Sequence, residues 1–199
     1  MALDKGARDA GLTEEQGKAL LWLARETIAR QLGKEGREPD PDIAACLRDQ
    51  ALQEKRGTFV TLKEHGELRG CIGTLVGIDP IVEGVKRNAL HAAFDDSRFS
   101  PVEEEELAAI EVEVSILTEP TPLIYATPEE LLARLQVGVD GVIIRKGGQG
   151  ATFLPQVWEQ LPAPEDFLSH LCRKGGLPAE VWRSGTLEVL TYRVQYFEE

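Results

Sequence analysis

The 199-residue sequence predicts an α+β protein in which a mainly antiparallel sheet is flanked by helices. Two observations predict this fold class. Segments with strand character are joined by short turns, as in β-hairpins. They are interspersed with segments that carry helix caps and helical spacing of apolar residues. This order favours hairpins over a parallel, doubly wound sheet, and the chain contains no linker long enough to separate domains cleanly.

The first helix is the best-defined element. Thr13 and Gln16 form the two ends of a capping box, apolar residues follow at helical spacing, and Gly33 is typical of a helix end. Residues 34–41 are charged and contain proline, so we interpret them as an exposed loop. A shorter helix is expected at about residues 42–52.

A hairpin then begins the sheet. Residues 58–63 are rich in β-branched and aromatic side chains, residues 64–66 supply a turn, and a second strand runs from residue 67 to about residue 75. A helix follows at about residues 79–96. Residues 109–117 alternate strictly between apolar and polar side chains, which predicts a strand with one buried face.

The second half has the same mixed character. Its expected elements, in chain order, are a helix that starts after Thr127, strands at 141–146 and 151–154 joined by the turn 147–150, a helix at 164–173 and a long strand at 186–197. The glycine-rich turn 147–150 lacks the Gly-Lys-Ser/Thr ending and the following helix of a phosphate loop. We therefore interpret it as a hairpin turn.

Charge argues against two classes of partner. The chain has 34 acidic and 22 basic residues and a formal net charge of −12. Nucleic-acid binding depends on basic groups that neutralise phosphates, and an anionic membrane surface repels an acidic protein. The sequence therefore predicts neither a nucleic-acid nor a membrane partner, and the net charge leaves a small cationic or neutral ligand, or a protein partner, open.

Cysteine usage and the amino terminus suggest an intracellular protein without a metal centre. Cys46, Cys71 and Cys172 are too few and too scattered for a disulfide framework, and no Cys-x-x-Cys pair is present. We therefore predict no metal site. The first residues lack the apolar core of a signal peptide, and no stretch is long and apolar enough to cross a bilayer, so we expect a cytoplasmic protein.

A family resemblance appears at residues 68–75, Leu-Arg-Gly-Cys-Ile-Gly-Thr-Leu. This segment resembles the signature hexapeptide Arg-Gly-Cys-Ile-Gly-Thr of the AMMECR domain family, also called AmmeMemoRadiSam system protein A. Further blocks resemble the same family in the expected order, at 88–101, 110–117, 140–144, 153–157 and 167–177. The resemblance covers roughly residues 12–199.

The resemblance implies one domain over residues 12–199, made of a larger subdomain and a smaller α/β subdomain packed against it. It implies that the signature peptide lies near the cleft between them. Residues 1–11 are expected to form a flexible amino terminus. Memo-like and radical S-adenosylmethionine proteins accompany members of this family, so the resemblance implies them as partners. The resemblance leaves the cofactor unknown, and the biochemical function of the family is not established.

Strand geometry turns the signature peptide into a candidate site. In an unbulged strand, Leu68, Gly70 and Ile72 face the core, and Arg69, Cys71 and Gly73 share the other face. A nearby cation favours the thiolate form of a cysteine. Cys71 is therefore a candidate nucleophile or redox thiol, and Arg69 its activator or the anchor of an anionic ligand.

Structural interpretations of the same residues remain open. Cys71 could line a ligand site without reacting, or serve as a small buried hydrophobe, and Arg69 could pair with Glu111 or Glu113 across the sheet. Two glycines in one strand permit close approach of a ligand or of another backbone, or mark a bulge. We include Gly70, Gly73, Thr74 and Gln156 as candidate cleft-lining residues.

A reactive cysteine normally works with a base. His91 is the best placed of the three histidines because its helix follows the signature strand, but it does not belong to the family pattern. Glu113 is a further candidate acid or base. Arg98 is expected to anchor a loop through Asp95 or Asp96, and the acidic run 103–106 to form a solvated face.

Two functional classes follow. In the first, the protein is an enzyme or small-molecule-binding protein whose cleft centres on Cys71 and Arg69. In the second, it is a non-catalytic adaptor that recognises a protein partner with the same surface. The lack of a convincing base favours the second class, and the combination of arginine, cysteine and two glycines on one strand favours the first.

Overall fold

The computed structural model describes residues 11–199, and the expected flexible terminus at 1–11 lies outside them except for Gly11. The described residues form two compact units, one made of residues 11–117 with Gln195–Glu199 and the other of Thr118–Val194. Helices and antiparallel strands build both units, which confirms the α+β fold class. No helix in this part of the chain is long and apolar enough to cross a membrane.

The helices and strands are, in chain order, α1 (Glu14–Gln31), α2 (Pro41–Cys46), β1 (Thr58–Glu64), β2 (Glu67–Thr74), α3 (Ile81–Phe94), β3 (Ile110–Leu117), β4 (Thr121–Pro122), α4 (Pro128–Arg134), β5 (Gly141–Lys146), β6 (Gln149–Phe153), α5 (Pro164–Lys174), β7 (Glu188–Tyr192) and β8 (Val194–Glu198). Short 3-10 turns connect several of them.

The caps read from the sequence define the helix starts. Thr13 and Gln16 form the predicted capping box of α1, and Thr127 caps α4 with proline at its first position. The single helix expected at 42–52 is wrong. That segment forms α2 and a separate 3-10 turn at Gln50–Gln53, because the Asp49 side chain accepts the N–H of Ala51 and starts a new turn there.

The first unit is a four-stranded sheet in the order β2-β1-β3-β8. Both β1–β2 and β1–β3 are antiparallel. Helices α1 and α3 contribute to one apolar core with residues of the sheet, which include Val60, Leu62, Val112 and Val114. The signature strand β2 is therefore an edge strand, and the helices cover one face of the sheet.

The second unit is built around a sheet in the order β4-β7-β5-β6. Its core contains Phe167 of α5, whose ring stacks on Trp158 with centroids 3.7 Å apart. The indole N–H of Trp158 donates to the carbonyl of Asp140 at 2.7 Å, so this large side chain is buried with its polar atom satisfied.

The long strand expected at 186–197 is also wrong, because two strands of different sheets occupy this segment. β7 pairs in the second sheet and β8 belongs to the first. Between them, the N–H of Arg193 donates to Thr118 Oγ1 and its carbonyl accepts the N–H of Thr118, both at 2.9 Å. The backbone groups of Arg193 therefore bind Thr118 at the point where the chain leaves the second sheet and enters the first.

Candidate functional site

A β-bulge at Arg69 reshapes the signature strand. Leu62 of β1 lies opposite Gly70, but the next residue, Lys63, lies opposite Leu68. Arg69 is thus the extra residue on β2, and a bulge of this kind bends the strand and redirects side chains. The condition of an unbulged strand is therefore not met, and the bulge that the sequence left as an alternative is present.

The bulge changes which face Leu68 occupies. Residues directly opposite each other in an antiparallel pair share a face, so Leu68 shares the face of Lys63 and Gly70 the face of the buried Leu62. Leu68 was expected in the core with Gly70 and Ile72, but it is 45% exposed. The redirected leucine lies on the same sheet face as Cys71.

Cys71 contacts a neighbour that the sequence analysis did not single out. It lies opposite Thr61, and the Thr61 Oγ1 to Cys71 Sγ distance is 3.2 Å. The backbone N–H of Cys71 donates to Asp96 Oδ2 at 2.9 Å, so it points away from β1. Side chains approach most closely in such non-hydrogen-bonded pairs, which explains the contact between hydroxyl and sulfur. Cys71 itself is half-buried.

A buried carboxylate sets the surroundings of Cys71. Asp96 binds the Cys71 N–H and also accepts from Arg98, with Arg98 Nη2 at 2.7 Å and Nε at 2.9 Å. The hydrogen bonds from the Arg98 side chain hold the pKa of Asp96 well below its usual range, with further help from the N–H groups of Cys71 and Arg98. Arg98 therefore anchors its loop through Asp96.

Arg98 is the cation that contacts Cys71, both directly and through Asp96. Its Nη2 lies 3.4 Å from the Cys71 carbonyl, and its side chain is 54% exposed although Asp96 is only 4% exposed. Hydrogen bonding to Asp96 raises the pKa of Arg98. One edge of a fixed guanidinium is thus presented to solvent beside the cysteine.

Arg69 is engaged elsewhere. Its Nε and Nη2 bind the Glu106 carboxylate at 2.7 and 3.1 Å, and Nη1 donates to the carbonyl of Ser100 at 2.9 Å. Only 11% of the Arg69 side chain is exposed. Pairing with Glu111 or Glu113 is therefore wrong, and Glu106 is an ion-pair partner rather than part of a solvated face. Arg69 fastens the loop that follows Arg98 to the edge of the sheet.

The two candidate bases have other partners. Glu113 of β3 lies opposite Thr61 of β1, which on its other side lies opposite Cys71. The Oε2 atom of Glu113 is 2.9 Å from Lys63 Nζ. This contact raises the pKa of Lys63. His91 has its Nε2 3.9 Å from Asp95, and its contacts among the described residues do not pair it with Cys71.

Other parts of the protein occupy the space beside the two glycines of the signature strand. A Cβ at Gly70 would lie 2.2 Å from the carbonyl oxygen of Ala92, so α3 packs directly on the strand there. A Cβ at Gly73 would lie 2.2 Å from the ring of Phe59. Of the alternatives left open, close approach of protein groups is observed at both glycines, and a bulge lies directly before Gly70. Neither glycine offers space to a ligand on the side of the missing side chain.

The remaining candidate positions, Thr74 and Gln156, belong to different units. Thr74 is half-buried opposite Thr58, whose side chain is fully buried and accepts from Asn88 Nδ2 at 2.8 Å. Gln156 lies on a 3-10 turn of the second unit and is exposed. Thr74 and Gln156 stay predictions as ligand contacts.

Chemically, the assembled residues offer a sulfur, a hydroxyl and a fixed cation. Thr61 donates to the sulfur, and Arg98 reaches the backbone carbonyl of the same residue. Thr61 was missed, and Asp96 was expected only as a partner of Arg98, because only the strand register and the loop path bring the two to Cys71. Within residues 11–199, no group of three His, Cys, Asp or Glu side chains could hold a metal ion.

Comparison with known proteins gives consistent matches. The family model described as AMMECR1 matches residues 21–197. Protein MK0488 of Methanopyrus kandleri is 40% identical, with coverage of 94% of this chain and 90% of the relative. A protein of Methanosarcina mazei is 42% identical, with coverage of 94% of both chains. The crystal structure of uncharacterized protein PH0010 from Pyrococcus horikoshii matches with a TM-score of 0.80 at 38% identity, over 94% of this chain and 93% of that one.

Proposed function

Since this chain belongs to the AMMECR1 family, we propose that its signature strand forms a binding site for a small anionic molecule, with Cys71 as the reactive thiol. The observation that carries the proposal is the placement of Arg98. Its guanidinium is fixed by a carboxylate that also binds the Cys71 backbone, and half of its side chain is exposed. A cation held in this way attracts an anion to the sulfur.

In this proposal the two arginines exchange the roles expected from sequence. Arg98 binds the anionic group of the ligand next to Cys71. Arg69 acts as a positioning residue, because its bonds to Glu106 and Ser100 hold the loop that carries Arg98. Thr61 donates a hydrogen bond to the Cys71 sulfur.

The test compares a neutral and an anionic electrophile. Iodoacetamide and iodoacetate both form an S–C bond with the thiolate and release iodide. We expect Cys71 to react faster than Cys46 and the fully buried Cys172 at neutral pH, as measured by peptide mass spectrometry. We also expect the ratio of iodoacetate to iodoacetamide rates to be about fivefold higher at Cys71 than at Cys46, since roughly 1 kcal/mol of attraction gives that factor.

Arg98→Gln should lower this ratio at Cys71 to the value at Cys46. Arg30→Gln is a matched control, because Arg30 is 53% exposed and pairs with Glu26, which is 4% exposed, as Arg98 does with Asp96. The proposal fails if Cys71 reacts no faster than Cys46, or if Arg98→Gln leaves the ratio unchanged.

A second candidate is the non-catalytic adaptor. It is favoured by the exposure of Leu68, a large apolar side chain that the bulge places on the face of Cys71. The partners implied by the family resemblance are Memo-like and radical S-adenosylmethionine proteins. Analytical gel filtration with the purified partner distinguishes the two candidates, since Leu68→Asp should abolish an adaptor complex and Cys71→Ser should leave it intact.

A further inference from the structure

The second unit carries a groove that the proposed function does not use. Its volume is about 520 Å³, and it is lined by Arg145, Lys146, Gly147, Gly148, Gln149, Gly150, Thr186 and Glu188. We propose that this groove binds the phosphate group, or an equivalent oxyanion, of a small molecule. The proposal does not depend on Cys71.

The turn at one end of the groove leaves backbone donors available. Lys146 and Gln149 are paired, so Gly147 and Gly148 alone form the loop between β5 and β6. Their φ angles are 56° and 85°, as a two-residue type I′ turn requires. The hydrogen bond that closes such a turn joins the flanking residues, which leaves the N–H groups of the two glycines free to donate to a ligand.

Arg145 lies between a glycine and a carboxylate in its row of the sheet. It is opposite Gly150 on one side and Glu188 on the other. Gly150 has no side chain, so nothing from β6 covers the arginine in that row. The distance from Arg145 Nη1 to Glu188 is 3.8 Å, which is too long for a hydrogen bond, and 53% of the Arg145 side chain is exposed. Its donors therefore remain available.

Lys146 is positioned by hydroxyl groups and not by an acid. Its Nζ donates to Thr186 Oγ1 at 2.6 Å, and Thr186 Oγ1 is 2.7 Å from Ser184 Oγ. A lysine ammonium has three donors, so two remain for a ligand. Pairing with a neutral partner also leaves its positive charge uncompensated.

The local charge of the groove is opposite to that of the protein. Its lining contains two cations and one carboxylate, whereas the chain has a net charge of −12. A concave surface with converging cations and free N–H groups attracts oxyanions. The volume is within the range of small-molecule sites, so the groove has room for the organic part of a phosphate ester beside the phosphate itself.

The experiment is a titration with inorganic phosphate. Two-dimensional NMR monitors the amide resonances of Gly147 and Gly148 as phosphate is added. We expect saturable shifts in the wild-type protein. Arg145→Gln and Lys146→Gln should each weaken binding about fivefold or more, as expected for the loss of one cation at an oxyanion site. Glu188→Gln should strengthen it, because it removes the carboxylate that competes for Arg145.

Arg134→Gln is the matched control, since Arg134 is also 53% exposed and also pairs with a glutamate, Glu130. A second titration with a phosphate monoester separates recognition of the free ion from recognition of an ester, and tighter binding of the ester supports an organic ligand. The proposal is overturned if phosphate causes no saturable shifts, or if Arg145→Gln and Lys146→Gln behave like Arg134→Gln.

Discussion

The carboxylate of Asp96 accepts the backbone N–H of Cys71 at 2.9 Å. This contact satisfies an outward-pointing donor of an edge strand, a group that would otherwise be available for pairing with another chain. Because the same carboxylate binds Arg98 through two nitrogens, one buried acid connects the strand edge to the cation next to it. The geometry around Cys71 therefore depends on Asp96.

We expect Asp96→Asn to lower the free energy of unfolding by about 2 kcal/mol at neutral pH, because hydrogen bonds to a charged group are lost in a buried position. Urea denaturation measures this change. Asp95→Asn is the control, since Asp95 is 68% exposed and only approaches His91, and it should change stability by less than about 0.5 kcal/mol. Equal effects of the two substitutions would contradict the assignment.

The same variant gives a pH prediction. The pKa of Asp96 is lowered in the folded protein by the hydrogen bonds from Arg98, so its ionised form stabilises the fold. This stabilisation is complete above the ordinary carboxyl value of 3.8 and is lost as pH falls through the lower, folded-state value. The stability difference between wild type and Asp96→Asn should thus be constant from about pH 8 to about pH 5 and decrease below about pH 4. A difference independent of pH would refute the claim.

Sequence reasoning predicted the parts of this fold that depend on local patterns. The alternation in β3 and the cap at Thr13 are visible in a few consecutive residues. The bulge at Arg69 is not, because an extra residue exists only relative to the register of a partner strand. One inserted position moved Leu68 to the other face and turned Arg69 toward the loop. The alternation of faces expected along β2 is therefore wrong for Leu68 and Arg69.

The partners of the site residues were harder still to predict. Glu106 follows Arg69 by 37 positions and lay in a run of four acids that reads as a solvated surface. The path of the loop in the folded protein determines which of these four acids contacts Arg69. Cys71 remained a candidate because the signature peptide identified it, whereas its neighbour Thr61 became visible only through the pairing of β1 with β2.

The ion pair between Arg69 and Glu106 should contribute measurably to stability. The two side chains are 11% and 23% exposed, and the arginine lowers the pKa of Glu106. We expect a coupling energy of about 1–2 kcal/mol from a double-mutant cycle of Arg69→Ala and Glu106→Ala in urea denaturation. The comparison pair is Lys34 with Glu104, which are 45% and 56% exposed and should couple by less than about 0.5 kcal/mol. Similar coupling in both cycles would argue against a structural role for Arg69.

Gly70 should tolerate no side chain. A Cβ there would lie 2.2 Å from the backbone oxygen of Ala92, and a helix backbone cannot move aside as a side chain can. We expect Gly70→Ala to cost about 3 kcal/mol of unfolding free energy. In Gly36→Ala the new Cβ meets only the end of the flexible Arg30 side chain, so this control should cost less than about 1 kcal/mol. A mild effect at Gly70 would mean that α3 does not press on the strand.

Tyr192 should make the protein sensitive to alkaline pH. Burial raises the pKa of its hydroxyl to about 12, and the hydroxyl donates to the Phe153 carbonyl at 3.1 Å. Because the folded-state pKa lies above the ordinary value of 10.0, the neutral form stabilises the fold fully below that pH. The stabilisation is lost as pH rises from there toward the folded-state value. Tyr192→Phe loses about 1 kcal/mol of hydrogen bonding at neutral pH but cannot ionise.

The stability advantage of the wild type over Tyr192→Phe should therefore be constant up to about pH 9 and shrink above about pH 10, as urea denaturation across this range would show. Other groups that titrate at high pH are present in both proteins, so their effects cancel in the difference. Since an exposed phenol would give the same stability difference at every pH, a flat profile would mean that the Tyr192 hydroxyl is not buried as the structure places it.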